Sequence, residues 1–391
     1  MDYAAATPVR NQVRKVMGPF FSKSFANPSA IHQEGVAARE AIEMQRVRLA
    51  RVLKARPEGV YFTGSGTESN NLAILGVFEK KHKDGRAYAD MEVVSTKLEH
   101  PSVLEALREL ERRGVVVRYA EVDEEGVIKV EALKAVLTEK TVLVTFAYIN
   151  SEIGVMQEVG KIARAVRAFE KDKGTRVYVH TDAAQAPLWA SCELDHLLVD
   201  IVSLDAGKCY GPKGVGVLVL RRGVEIAPVL FGGPQEGGLR PATENTPAVV
   251  GAVEAIVIAQ ERHESLSQTV CKLRDFLAAE LLKINGVVLN GSKEHRVANN
   301  VNVSVRGVDG EYAVVVLDEA GIACSTRSAC SGATGAGSSV VMAISGDQDR
   351  ASSSIRFTLG EETTRAELQK AADVLAQHVE KTRTAMNSLT Q

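Results

Sequence analysis

The chain has 391 residues, a formal net charge of −2, 45% hydrophobic and 25% charged residues. This is long enough for about two or three domains and a large core. The near-neutral balance carries no electrostatic footprint for nucleic acid or a membrane surface, and no apolar run is long enough for a membrane helix.

The opening MDYAAATPVR contains Asp2 and no basic n-region, so no secretory signal is expected. Apolar periodicity then alternates between strand and helix. VYFTGS (60–65) reads as a buried strand, and ESNNLAILGVFEKKHKD as the helix after it. EVVSTKLE reads as a strand. PSVLEALRELERRG is a helix opened by Pro101 and closed by Gly114. VVVRYAEV, KVEALKAVL and TVLVTFAYIN continue the pattern, followed by the helix KIARAVRAFEKDKG and the strands RVYVHTD, DIVSLDA and VGVLVLRR. The alternation predicts an α/β fold with a mostly parallel sheet covered by helices on both faces. Ligands in such sheets sit beyond the carboxyl ends of the strands, where Asn150, Asp182 and Lys208 fall. From about residue 245 the character changes. A long helical pattern, the strands GVVLNG and NNVNVSVRG, a helix at EYAVVVLDEAG, a Ser/Gly-rich stretch at 331–339, the strand SSIRFTLG and a final helix (364–386) predict a second, smaller α/β domain.

Several residues could carry chemistry, and each has a plainer reading. GSGTES (64–69) joins a strand to a helix. Its glycines and helix N-terminus suit an anion, or it is an ordinary N-cap. It is neither a P-loop nor a dinucleotide fingerprint. Asp182, in HTDAAQA, is either a helix cap or the counter-ion of a protonated heterocycle. Lys208, in GKCYGPKG, is either a solvated loop residue or a nucleophilic amine in a cleft; Lys213 reads as structural. His100 is either a satisfied structural histidine or one that stacks on a planar ligand or moves a proton. Arg356, central in an apolar strand, needs an anion, either a ligand carboxylate or a protein one. The five cysteines are scattered, with no zinc spacing, so no metal site is expected. They fit free thiols in a reducing, cytoplasmic setting. Cys330 is either a small buried hydrophobe or a thiol on an exposed Ser/Gly-rich loop, with Arg327 favouring the thiolate.

Taken together, DYAAATPV, NPSAIHQEG, FTGSGTESNNLAI, EHPSVLEA, NSEIGVMQ, HTDAAQA, KCYGPKGVGVL, RPATENTPAVVG, RSAC and SSIRFTLG resemble the cysteine desulfurases, in that family's order. These are pyridoxal 5'-phosphate (PLP) enzymes of fold type I. SAC followed by a long loop looks like the subgroup with an extended mobile cysteine loop, here about 324–347. The resemblance implies a large PLP-binding domain over 14–250 and a small domain over 1–13 and 251–391. It implies that Lys208 forms the Schiff base and shuttles the Cα proton. Asp182 pairs with the pyridinium nitrogen and Gln185 bonds the phenolic oxygen. His100 stacks on the ring and deprotonates the substrate thiol. Gly66 and Thr67 hold the phosphate, with Thr243 reaching in from a second subunit of a homodimer. Asn150 and Arg356 receive the carboxylate of L-cysteine. Cys330 takes the sulfur as a persulfide, leaving L-alanine, and passes it to a sulfur-acceptor protein such as an iron–sulfur scaffold, or towards tRNA thiolation.

Four positions depart from the family pattern. A histidine usually precedes the lysine and a serine lies two positions before that; here they are Gly207 and Asp205. A carboxylate beside a phosphate costs on the order of several kcal/mol before relaxation. Asp205 must therefore point away, be protonated, or be offset by Arg240 or Lys213. The usual RxGT reads Arg240-Pro241-Ala242-Thr243, and Arg327 replaces a usual glycine. Two other readings follow: another fold type I reaction, such as a selenocysteine lyase or aminotransferase, or a non-catalytic scaffold that binds PLP weakly.

Overall fold

A computed structural model describes residues 1–326 and 337–389. Among the described residues, seven strands form one sheet: β1 (Val60–Thr63), β2 (Glu92–Ser95), β3 (Val116–Tyr119), β4 (Thr141–Ala147), β5 (Tyr178–Asp182), β6 (Ile201–Asp205) and β7 (Gly216–Leu220). Their order is β1-β7-β6-β5-β4-β2-β3. The β3, β2, β4, β5 and β6 pairings are parallel, and β7 alone runs against its neighbours β6 and β1. β5 is buried along its whole length, as a strand covered on both faces must be.

The helices are α1 (Asn11–Met17), α2 (Gln33–Val52), α3 (Gly66–Lys83), α4 (Pro101–Arg112), α5 (Val130–Val136), α6 (Val159–Lys173), α7 (Leu194–Leu197), α8 (Thr246–Leu282), α9 (Gly310–Glu319), α10 (Ser339–Ser345), α11 (Gln348–Ser352) and α12 (Arg365–Leu389). α3 and α4 cover one sheet face, where Ile74, Val77 and Phe78 meet Val103, Leu107 and Leu110. The other face packs Ile162 and Val166 of α6 and Val253 and Ile256 of α8. That cluster continues into a second, antiparallel sheet of β8 (Val287–Leu289), β9 (Asn300–Val305) and β10 (Ser354–Thr358), ordered β10-β9-β8. None of the described helices is long and apolar enough to cross a membrane.

Two details differ from the sequence expectation, and both shape the cleft. The EVVSTKLE strand stops at Ser95 because Thr96 turns the chain. Thr96 Oγ1 accepts from Leu98 N at 3.1 Å and donates to Glu99 Oε1 at 2.6 Å, a local bond that competes with the ladder. His100 thereby becomes the N-cap of α4, with Pro101 in its first turn. Lys208 does lie just past the end of β6, but on a 3₁₀ turn that periodicity does not signal, Ala206–Lys208, opened by Asp205, whose Oδ1 accepts from Gly207 N at 2.8 Å.

The N-terminal segment ties the two sheets together. Asp2 bridges to Thr358 on β10. Thr7 N and Oγ1 both donate to Gly207 O at 3.0 Å, and Arg10 N donates to Tyr210 O at 3.0 Å.

Gly216 opens β7 opposite Thr63 and lets the start of α3 lie against the sheet. A Cβ there would come within 2.4 Å of the Ser65 carbonyl carbon and oxygen. Gly216→Ala is expected to destabilise the fold by about 1–3 kcal/mol through overpacking and to displace the Ser65 cap. Denaturant unfolding checks this, and an unchanged midpoint would contradict the packing account.

Candidate active site

An open cleft lies where β4, β5 and β6 end, the usual place for a ligand in such a sheet. Parallel pairing sets Ala147 beside Asp182, and Asp182 beside Ser203, so these strands finish at one edge. Asp205 follows two residues beyond Ser203 on β6. The cleft is lined by Ala147, Asp182 and Asp205 from the strand ends, and by Gly66 and Thr67 from the start of α3. His100, Asn150, Gln185, Lys208 and Arg356 complete the walls.

Asp182 is 9% exposed. Its Oδ2 accepts from Asn70 Nδ2 at 2.8 Å and its Oδ1 from Ala184 N at 2.9 Å. Both donors are neutral, and no cationic side chain among the described residues pairs with it. A buried carboxylate so placed favours a cation brought into the cleft.

Asn70 and Ser102 extend this contact to His100. Asn70 Nδ2 also donates to Ser102 Oγ at 2.9 Å. His100 Nδ1 accepts from Ser102 N at 3.1 Å and lies 2.8 Å from Ser102 Oγ. With Nδ1 accepting, the neutral ring carries its proton on Nε2. Burial pulls the His100 pKa below its ordinary value, against the opposing charge of Asp182. Neighbouring Glu99 is buried, with Oε2 unpartnered, and burial pushes its carboxyl up to about 8. Asn70 and Ser102 were not singled out in the sequence. Asn70 follows Thr67 by three residues on α3, a spacing that places both on one face.

The remaining predicted residues fall as follows. Lys208 Nζ donates to Ala5 O at 2.6 Å, and Gln185 Nε2 to Ala4 O at 3.0 Å. Ser65 caps α3 by accepting from Glu68 N at 3.1 Å. Gly66 and Thr67 hold the first helical positions, whose N–H groups have no partner within a helix. Asn150 Oδ1 accepts from Glu152 N and Ile153 N, and its Nδ2 donates to Leu98 O at 2.7 Å. Arg356 is 1% exposed. Its Nη2 donates to Asp2 Oδ1 at 2.7 Å and its Nη1 to Ser151 O at 2.9 Å, while Nε is buried without a partner. A protein carboxylate therefore does meet this arginine, and the same residue still faces the cleft. Asp2 was not singled out as its partner.

Thr243 is exposed and does not line the cleft of its own chain. Cys330 lies outside the described residues. Of the other cysteines, Cys192, Cys209 and Cys324 are buried and Cys271 is half-buried, and none lines the cleft. Burial pushes the thiol pKa of Cys192 and Cys209 up, and that of Cys324 up to about 12. Asp205 does not point away: it lines the cleft beside Gly66. Arg240 is occupied by Glu68, with Nε 2.9 Å from Glu68 Oε1.

The aminotransferase class-V family model matches residues 1–371. The chain belongs to the aminotransferase class-V family. It is 38% identical over 385 residues to "Cysteine desulfurase IscS" of Dictyoglomus turgidum, covering 98% of this chain and 95% of that one. It is 37% identical over 386 residues to the protein of the same name from Neisseria meningitidis serogroup C, covering 98% and 92%. Among solved structures it resembles a "NifS-like protein" with TM-score 0.88 and 32% identity, over 97% of this chain and 98% of that one. It also resembles "SspA in complex with cysteine", with TM-score 0.78 and 31% identity over 93% and 99%. The fold is therefore the fold type I architecture.

The cofactor of this family member is PLP, and the residues present fit it. The uncompensated Asp182 carboxylate suits a pyridinium N–H, the Lys208 amine faces the same cleft, and the start of α3 offers N–H groups to a phosphate. At the phosphate end an acid, Asp205, stands beside the start of α3.

The His100 ring is expected to titrate with a midpoint below its ordinary 6.5. Above that midpoint it is neutral, and below it charged. Histidine-selective NMR across pH 5–8 reads this directly; a midpoint above 6.5 would show that Asp182 outweighs burial.

Proposed function

We propose that the chain is a PLP-dependent cysteine desulfurase, which converts L-cysteine to L-alanine and transfers the sulfur to Cys330. The observation that carries this reading is the pairing, across one cleft, of a buried carboxylate lacking a cation, Asp182, with an amine, Lys208, at the carboxyl edge of the sheet. Near-full-length similarity to proteins named cysteine desulfurase supports the reaction, and the neighbour solved with cysteine supports the substrate.

Bound PLP supplies an electron sink for negative charge at the substrate Cα. Asp182 would hold the ring nitrogen in its protonated form. Lys208 Nζ would hold the cofactor through its aldehyde group, and once free it would take the substrate Cα proton and return a proton to the product. Gln185 donates towards the ring oxygen, and Gly66 and Thr67 hold the phosphate. Arg356 pairs with the substrate carboxylate, helped by the second N–H of Asn150. His100 would stack on the cofactor ring. Its Nδ1 is engaged and its neutral form carries a proton on Nε2, so we assign it stacking and hydrogen-bond donation rather than removal of the thiol proton. The Cys330 thiolate attacks the substrate sulfur. A Cys330 S–S bond forms as the substrate Cβ–S bond breaks, and the electron pair left on carbon is protonated to give alanine. The four other cysteines do not line the cleft and three are buried thiols of raised pKa, which supports Cys330 as the acceptor. Aminotransfer needs no such thiol.

A homodimer accounts for Thr243, which is exposed on its own chain. Exposed Leu230 and Phe231 in the segment before it, with Phe21, Phe25 and Ile31 near α1, supply apolar surface for that contact. The persulfide passes to an acceptor protein such as an iron–sulfur scaffold. Free buried thiols suit the reducing cytoplasm.

The purified chain is expected to show a visible absorption band with PLP that shifts on adding L-cysteine. Cys330→Ser should keep the band and its shift but lower alanine formation by about 100-fold or more. Full activity of Cys330→Ser would remove the persulfide step, and absence of any band would remove the cofactor role. Arg356→Lys should raise KM for L-cysteine by about tenfold through loss of the guanidinium fork while leaving the PLP band in place. Steady-state kinetics checks it, and an unchanged KM would place the carboxylate elsewhere.

A further inference from the structure

Among the described residues, Asp205 is the one charged residue of the cleft that the proposed reaction does not use. It lines the same wall as Gly66, Thr67 and Lys208. A Cβ placed on Gly66 would lie 3.1 Å from Asp205 Cβ and 3.2 Å from its Oδ2, so the acid side chain fills the space beside the first residue of α3. It is held there, because Oδ1 accepts from Gly207 N at 2.8 Å within the 3₁₀ turn that presents Lys208. No cationic side chain among the described residues forms an ion pair with it. Arg240 is taken by Glu68, and Lys208 Nζ donates to Ala5 O at 2.6 Å. Lys213 is exposed, and its Cγ and Cα lie 3.6 and 3.9 Å from the site of a Gly207 Cβ.

Helix N-termini attract anions through free N–H groups and the dipole. In this chain an intrinsic carboxylate already sits at that position, and an incoming phosphate must share it. We infer that Asp205 sets the cofactor selectivity of the site. It opposes the phosphate of PLP, weakens retention of the cofactor and narrows the preference for PLP over its dephosphorylated form, pyridoxal. This rests on the reading of the cleft as a PLP site. Like charges in a partly enclosed site interact strongly enough to change affinity by about tenfold or more. Pyridoxal lacks the phosphate and is not subject to this repulsion.

The test is a spectroscopic titration of the full chain, stripped of cofactor, with PLP and separately with pyridoxal. It compares the wild type with Asp205→Ser and the near-isosteric Asp205→Asn; the second keeps the comparison intact if the serine variant misfolds. The expected result is a PLP dissociation constant lowered by about tenfold or more in the variants, with that for pyridoxal changed less than about twofold. PLP affinity unchanged or weakened in the variants, with pyridoxal still binding, would overturn the inference and leave the cofactor reading standing. A parallel gain for both ligands would also overturn it, because the effect would then not pass through the phosphate. Binding of neither ligand to any form would overturn both the inference and the cofactor reading.

Discussion

The charge of Asp182 is the constraint around which this site is organised. A carboxylate at the end of a fully buried central strand cannot be left to water, and the structure gives it two neutral donors rather than a salt bridge. Neutral donors satisfy its lone pairs without cancelling its charge. The negative potential therefore remains available to the cleft, where it favours the cationic form of a heterocycle. Had an arginine occupied the position of Asn70, the same fold would have spent that charge internally.

The neighbouring polar groups follow from this choice. Asn70 divides its amide between Asp182 and Ser102, and Ser102 engages His100. One chain of hydrogen bonds thus links Asp182 to the His100 imidazole and determines which nitrogen of that imidazole carries the proton. At the other side of the cleft, Asp2 performs for Arg356 what no described residue performs for Asp182. It offers a full opposite charge, while Arg356 Nε remains without a partner. Asp2 also accepts from Ser325 Oγ at 2.8 Å, so the N-terminal segment joins the strand carrying Arg356 to the residues just before 327. Two opposite electrostatic solutions therefore sit in one cleft: an acid kept uncompensated and a base held in place by an acid.

Much of this was readable in the chain. The strand and helix alternation survives almost element by element, because burial on both faces produces continuous apolar runs for β4, β5 and β6 and stripes for α4 and α6. The candidate site was readable where residues close a strand, as Asp182 does, or stand out chemically, as Arg356 does in an apolar strand. Local polar bonds were not readable. The Thr96 hydroxyl ends β2 early, and the Asp205 side chain opens a 3₁₀ turn, each through a single bond that periodicity does not register. Asn70 and Ser102 lie 32 residues apart and meet only because α3 and α4 pack on the same sheet face.

The sequence by itself determined the alternating α/β order, the placement of Asp182 at a strand end and Lys208 just beyond another, and the presence of an acid where the family pattern has a hydroxyl. These are properties of residue type and of position along one element. Tertiary structure alone decided that Asp182 keeps its charge uncompensated, that His100 accepts at Nδ1, that Asp2 meets Arg356, and that Asp205 turns towards α3 rather than away from it. Each of these depends on distances between groups far apart in the chain. Such distances arise from sheet register and helix packing, which no local pattern encodes.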